Sequence, residues 1–207
     1  TGRAGEKKYR LPEQVDWQTS LGYPLLTWTD GMEIKQAAVS DRSQSRTVQI
    51  TYAKTAQVIA LLREKLNAGG CAGVIVNTVQ RAQQLAQLLR WAMPETRVID
   101  FHSQFIMTDR IEREAQLLER MGKHSTPEQR NGVIVVGTQV LEQSLDIDFD
   151  LLLTDLCPMD LLLQRIGRLH RHSRVRPDAL NMAQCIVLET EELEPGAGAV
   201  YGAWLLL

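Results

Sequence analysis

From residue 48 onward, short apolar runs rich in valine and isoleucine alternate with longer stretches whose apolar positions recur at helical spacing. The runs at 48–52, 73–77, 97–102, 132–137, 150–156 and 184–189 predict strands. Helical periodicity covers 55–67, 79–91, 108–121 and 159–170, with Gly69-Gly70 and Pro94 as stops. Val133, Ile134, Val135 and Val136 form a run with no polar position, which suits a strand covered by helices on both faces. The pattern predicts a three-layer α/β/α sandwich around a mostly parallel sheet.

The two ends break this rhythm. Residues 1–47 carry charged and turn-forming stretches around Tyr23-Pro24 and Asp30-Gly31, and are expected to be a linker or peripheral extension of the domain at 48–190. Residues 191–207 begin acidic, pass through Pro195-Gly196 and close on Trp204-Leu205-Leu206-Leu207, as expected of a linker and the start of a further element. The length suits one main core with extensions, so the chain is expected to be a piece of a longer protein.

A net charge of -2 supplies no global basic excess, so phosphate recognition must come from local clusters. Charge is segregated: Glu142, Asp146, Asp148, Asp150, Asp155 and Asp160 precede Arg165, Arg168, Arg171, Arg174 and Arg176. Such runs are expected to form a solvated face. Cys71, Cys157 and Cys185 show no C-x-x-C spacing, which predicts neither a disulfide framework nor a zinc site and suits a reducing cytoplasm. No signal peptide is visible and the apolar segment 199–207 is too short to cross a bilayer, so no membrane partner is expected.

In an open parallel sheet, ligands bind beyond the carboxyl ends of the strands. Asn77-Thr78, His102-Ser103 and Gly137-Thr138 fall at such ends. They could track successive phosphates of an extended nucleic-acid strand, or simply cap the helices that follow. After Gly137-Thr138 a helical reading puts Gln143 and Asp146 one turn apart, both able to face a nucleotide. Asp146 could accept from a ribose hydroxyl or pair with a downstream arginine.

The run from Gln164 to His172 carries the most chemistry. Gln164, Arg168 and Arg171 recur at i, i+4 and i+7, opposite a stripe of Leu162, Ile166 and Leu169, so one helix face packs while the other reaches a phosphate. Arginine suits this because its planar fork grips phosphate oxygens through paired hydrogen bonds. No G-x-x-x-x-G-K-[ST] loop is present, so the Asp155 that ends an apolar strand is not expected to hold magnesium. No H-E-x-x-H pair exists, His170 and His172 have no further ligands in view, and neither a metal site nor a Cys157 nucleophile is expected.

Residues 137–146, Gly-Thr-Gln-Val-Leu-Glu-Gln-Ser-Leu-Asp, followed by 164–171, Gln-Arg-Ile-Gly-Arg-Leu-His-Arg, resemble motifs V and VI of superfamily two helicases. The leading glutamine is similar to the DExH branch. With Pro158-Met159-Asp160-Leu161 and His102-Ser103-Gln104-Phe105, the chain most resembles the CRISPR-associated helicase-nuclease of type I systems, over about residues 48–189. The resemblance implies the second of two RecA-like domains. It makes Arg168 and Arg171 arginine fingers, and gives Gln164, Gln143 and Asp146 to ATP. It gives Asn77, Thr78, His102, Ser103, Gly137 and Thr138 to the backbone of a DNA single strand. ATP with magnesium would be held mainly by the first RecA-like domain. That domain, an HD nuclease domain and a crRNA-guided surveillance complex would be partners, and this chain alone would not turn over ATP. Another DExH helicase acting on RNA or duplex DNA, or a non-catalytic α/β nucleic-acid-binding module, fits the same residues.

Overall fold

The computed structural model describes residues 25–31, 33–38, 46–105, 107–142 and 145–189, and the chain divides into two units, Thr1–Arg46 and Thr47–Leu207. In the first, β1 (Leu25–Asp30) and β2 (Glu33–Ala38) pair antiparallel, Leu25 opposite Ala38 and Asp30 opposite Glu33. Gly31 takes φ 64°, which a side chain rarely tolerates and which lets the hairpin close tightly. Where the composition predicts only a linker or extension, this unit holds a hairpin, with the Asp30-Gly31 turn signal at its tip.

The second unit opens with edge strand β3 (Val48–Lys54), leading through a short 3-10 turn to α1 (Val58–Lys65). It continues through β4 (Cys71–Ile75), α2 (Val79–Ala92), β5 (Arg97–Phe101) and α3 (Met107–Met121). Then follow α4 (Pro127–Arg130), β6 (Val133–Gly137), β7 (Leu151–Asp155), α5 (Met159–Ile166) and β8 (Ala183–Glu189). The strands form one six-stranded sheet in the order β3-β8-β7-β4-β6-β5, every pairing parallel. β4, β6 and β7 are buried along their whole length, which is why their sequences lack polar alternation.

Side chains alternate across that sheet and define two cores. On one face Val58 and Leu62 of α1 and Ala82, Leu85, Ala86 and Leu89 of α2 cover Val74, Val136 and Leu153. On the other, Leu117 and Met121 of α3, with Leu162 and Ile166 of α5, cover Ile75, Val135, Leu152 and Cys185. Each fully buried leucine or isoleucine contributes roughly 1.5–3 kcal/mol, so these helices are held by the sheet more than by intrinsic propensity. Gly70, at φ 93°, turns the chain into β4 where a Cβ would stand 2.8 Å from Leu180 Cδ1.

Two helices are shorter than their periodicity predicts. The helix expected over 159–170 ends at Ile166, and Gly167 begins the turn away. Leu169 keeps the 3.6-residue phase but is buried beside Phe149, whose N–H donates to Arg168 O at 2.8 Å and whose carbonyl accepts from His170 N at 3.0 Å. A strand-like bridge there outcompetes another helical turn. After Thr138, where helical spacing would carry through Asp146, the described residues hold the 3-10 turn Gln139–Leu141.

Gly73 is dictated by packing, since a Cβ there would lie 2.5 Å from the Phe149 ring. Gly73→Ala is therefore expected to cost roughly 1–3 kcal/mol in urea denaturation. Because the clash is with one side chain, the loss in Gly73→Ala combined with Phe149→Leu should be smaller than the sum of the two single losses. Strict additivity would show that the alanine methyl is accommodated elsewhere.

Candidate functional site

Parallel register places three strand ends in one line. Gly137 at the end of β6 stands opposite Ile75 of β4 and Phe101 of β5, and Val76 N donates to Gly137 O at 2.8 Å. Asn77-Thr78, Gly137-Thr138 and His102-Ser103 therefore sit side by side at the carboxyl edge, on strands spaced by about 4.8 Å. The structure brings together all six residues expected there.

Their side chains are differently engaged. Thr78 caps α2, its hydroxyl accepting from Arg81 N at 3.3 Å. Asn77 is buried: its N–H donates to Asp155 Oδ2 at 3.0 Å and its Nδ2 to Leu156 O at 2.9 Å. Gly137 tolerates no Cβ, which would meet Phe101 O at 2.4 Å. Thr138 is fully buried with a hydroxyl that has no hydrogen-bond partner among the described residues. Such an orphan is costly and marks a place where an incoming polar group gains. Ser103 is exposed. His102 is buried and stacks on Phe105 at 4.1 Å, while the Arg113 guanidinium lies 4.1 Å from the same ring. Its Nδ1 accepts from Gln104 N at 3.4 Å, and burial, opposed by Asp100, pushes its pKa below the usual value.

The second group gathers around Asp146. Arg171 Nε donates to Asp146 Oδ1 at 2.6 Å, and His172 Nε2 stands 3.2 Å from the same oxygen. The Arg171 hydrogen bond, then the His172 charge, hold Asp146 below the ordinary carboxylate range. Of the two possibilities left by spacing, pairing with a downstream arginine is the one present here. Arg168 Nη2 donates to Glu142 O at 2.6 Å, while its buried Nε has no partner among the described residues. Burial, and then the neighbouring Arg171 charge, lower its pKa.

The single helix face predicted for Gln164, Arg168 and Arg171 does not exist. Gln164 lies exposed on α5, Arg168 follows the cap, and Arg171 follows His170, whose φ of 51° reverses the chain. Arg168 and Arg171 meet through a folded loop, because the bridge to Phe149 turns the chain back. Gln143 lies outside the described residues.

The predicted solvated charge face is also corrected: Glu142, Asp148, Asp150, Asp155, Arg165 and Arg176 are buried. Arg165, fully buried, donates from Nε to Glu142 Oε1 at 2.6 Å and from Nη1 to Thr154 Oγ1 at 2.7 Å. Its Nη1 and Nη2 each reach Asn77 Oδ1 at 3.4 Å. One guanidinium thus ties the strand-end row to the Glu142 peptide that holds Arg168. Asp155 receives Arg81 Nε at 3.1 Å, yet burial still raises its pKa. At the opposite edge of the sheet, Arg130, Arg174 and Arg176 surround Asp148 and Asp150. The signal for Arg165 was its place on the inward side of α5 beside Leu162 and Ile166. Burial raises the Cys157 thiol pKa, against a nucleophilic role. Among the described residues no group of His, Cys, Asp and Glu is placed to hold a metal, and no helix is long and apolar enough to cross a membrane.

A family model described as the C-terminal part of the CRISPR-associated nuclease/helicase Cas3 matches residues 68–174. The CRISPR-associated nuclease/helicase Cas3 of Streptococcus thermophilus is 42% identical over 202 residues, covering 96% of this chain and 22% of the relative. The chain thus spans about a fifth of that curated relative. The crystal structure of T. fusca Cas3 with ATP superposes with a TM-score of 0.74 at 28% identity, covering 84% of this chain and 23% of that one. A CRISPR RNA-guided surveillance complex in a pre-nicking state contains a chain similar at TM-score 0.73 and 27% identity, covering 90% and 25%.

Removing the Arg165 guanidinium would strand the Glu142 carboxylate in the interior. Arg165→Leu is expected to destabilise the chain by roughly 3–5 kcal/mol. Adding Glu142→Leu should restore much of that, since the uncompensated charge is then gone. Chemical denaturation of the two variants checks this, and equal instability would mean that Glu142 is not the partner that matters.

Proposed function

The chain belongs to the family of the C-terminal part of the CRISPR-associated nuclease/helicase Cas3, as its second RecA-like domain. From that premise we propose that it is the C-terminal motor half of an ATP-dependent DNA helicase that unwinds and degrades invading DNA. The observation that carries the reading is the loop that brings Arg168 and Arg171 together around Asp146, with one buried guanidinium nitrogen uncommitted.

In this reading residues 48–190 are the motor domain and 1–47 a linker or peripheral extension. Arg168 and Arg171 enter a cleft formed with the first RecA-like domain and neutralise charge developing on the transferred γ-phosphoryl group. The Arg171–Asp146 pair is half exposed. Such pairs are worth roughly 0–1 kcal/mol, so the cost of releasing Arg171 to a phosphate is small. Asp146 then accepts from a ribose hydroxyl. Gln164 faces the phosphate region or its water, and Gln143 is assigned to ATP by the family resemblance alone. Magnesium is held by the first domain, whose phosphate loop this chain lacks.

The strand-end row grips the DNA. Gly137, closed against Phe101 and Leu141, sets the turn into Thr138, the Thr138 hydroxyl supplies an uncommitted donor, and Asn77, Thr78, His102 and Ser103 extend the row along successive phosphates. Contacts of this kind carry little base information. The likeness to T. fusca Cas3 in its ATP form supports ATP as substrate. The surveillance-complex neighbour supports a crRNA-guided assembly as partner. An HD nuclease domain completes the cytoplasmic machine.

In the full-length protein, Arg168→Ala is expected to lower ATP turnover roughly 10³- to 10⁵-fold while the melting temperature and circular dichroism stay unchanged. Wild-type turnover in that variant would remove the arginine-finger role. The present chain alone is expected to release no phosphate from ATP with or without single-stranded DNA, so DNA-stimulated release by it would contradict the division of the ATP site between domains.

A further inference from the structure

We propose that the buried Asp148 carboxylate is a positioning residue that sets the Arg171 guanidinium for catalysis, an inference that rests on the arginine-finger reading above. Asp148 is fully buried, yet it is committed almost wholly to the loop that carries the finger. Its Oδ1 accepts from the backbone N–H of Arg171 at 2.9 Å. Arg176 Nη2 donates to both carboxylate oxygens, at 3.1 and 2.9 Å. Arg174 Nε forms an ion pair with Oδ2 at 2.7 Å, and Arg130 lies further off at 3.8 Å.

The carboxylate is itself immobile. Asp148 N donates to Met121 O at 2.8 Å, and the residues on either side are bridged, Ile147 to Gly122 and Phe149 to Leu169. Arg174 extends the brace by donating to Ser125 O and Gly122 O, each at 3.1 Å. Arg176 also donates to His172 O at 3.0 Å and pairs with Asp150.

The need for such a brace lies one residue before the finger. His170 is the one non-glycine among the described residues with positive φ, a conformation that crowds Cβ against the following carbonyl. Contacts of its own offset this: its N–H donates to Phe149 O at 3.0 Å and its Nε2 lies 3.1 Å from Asp150 O. His170 reverses the chain, and Asp148 holds the new direction by the Arg171 peptide. The Arg171 side chain is thereby sent to Asp146 and not along the course that α5 would have taken. Arg168 is anchored separately through Glu142 O, so loosening Asp148 acts on one finger and not on both.

The test uses the full-length helicase-nuclease with Asp148→Asn, Arg171→Ala and the double variant. Asp148→Asn is expected to lower kcat for ATP roughly tenfold to a hundredfold, leave KM unchanged, and weaken binding of ADP with aluminium fluoride but not of ADP alone. Because Asp148 acts through Arg171, the double variant should turn over no more slowly than Arg171→Ala. Multiplicative losses, or equal weakening of both ligands, would overturn the proposal and leave Asp148 a purely structural residue. Wild-type turnover in Arg171→Ala would instead defeat the finger reading itself. Should Asp148→Asn prove too unstable to assay, Asp148→Glu retains the charge facing Arg174 and Arg176 while displacing the oxygen seen by the Arg171 peptide. The same loss of kcat is expected from it, and undiminished kcat would overturn the proposal.

Discussion

A fully buried guanidinium is expensive unless its donors are used, and Arg165 uses its donors to join the segment after β6 to the ends of the paired strands β4 and β7. Glu142 comes from the segment after β6, Thr154 from β7 and Asn77 from the end of β4. If that hub were apolar, the sheet could still pack. The strand-end row and the Arg168 loop would then lose the bridge that sets their separation. The hub therefore secures geometry at the expense of desolvation, which is the trade expected where polar groups must be held in register.

A second polar network performs the equivalent task at the amino edge of the same sheet. There Asp148 and Asp150 take up three arginines, so that the excursion after α5 is tied down at its far end as well as its near one. Between the two networks lies β7, buried along its whole length. The arginine loop is thus suspended from both ends of one rigid strand. This explains how residues outside regular secondary structure keep defined positions without a helix to carry them.

The strands were legible because complete burial leaves an apolar run that few other structures produce, as in Val133 to Val136. The strand-end row was legible for a related reason: parallel topology aligns carboxyl ends whatever the loops between them do. The end of α5 was not legible. Leu169 satisfies helical phase and a buried bridge to Phe149 equally well, and only the tertiary hydrogen bonds separate the two. Nor were the partners of the buried Arg165, of which Thr154 and Glu142 stand 11 and 23 residues away. Charge counted along a chain looks like surface when its complements are contributed by other strands. For Asp146, spacing could place a carboxylate near arginines but could not measure the 2.6 Å that joins it to Arg171.

That short contact has a consequence for selectivity under the proposed role of the pair in ATP binding. While Asp146 and Arg171 hold each other, each charge is balanced by the other, and a ligand that engages only one of them exposes the other. In that proposal inorganic phosphate would draw the arginine away but leave a bare carboxylate beside its own negative charge. A bare sugar would satisfy the carboxylate yet offer nothing for the cation. A molecule that carries a hydroxyl and a phosphate at a fixed separation would relieve both at once, which makes the proposed site a two-key lock.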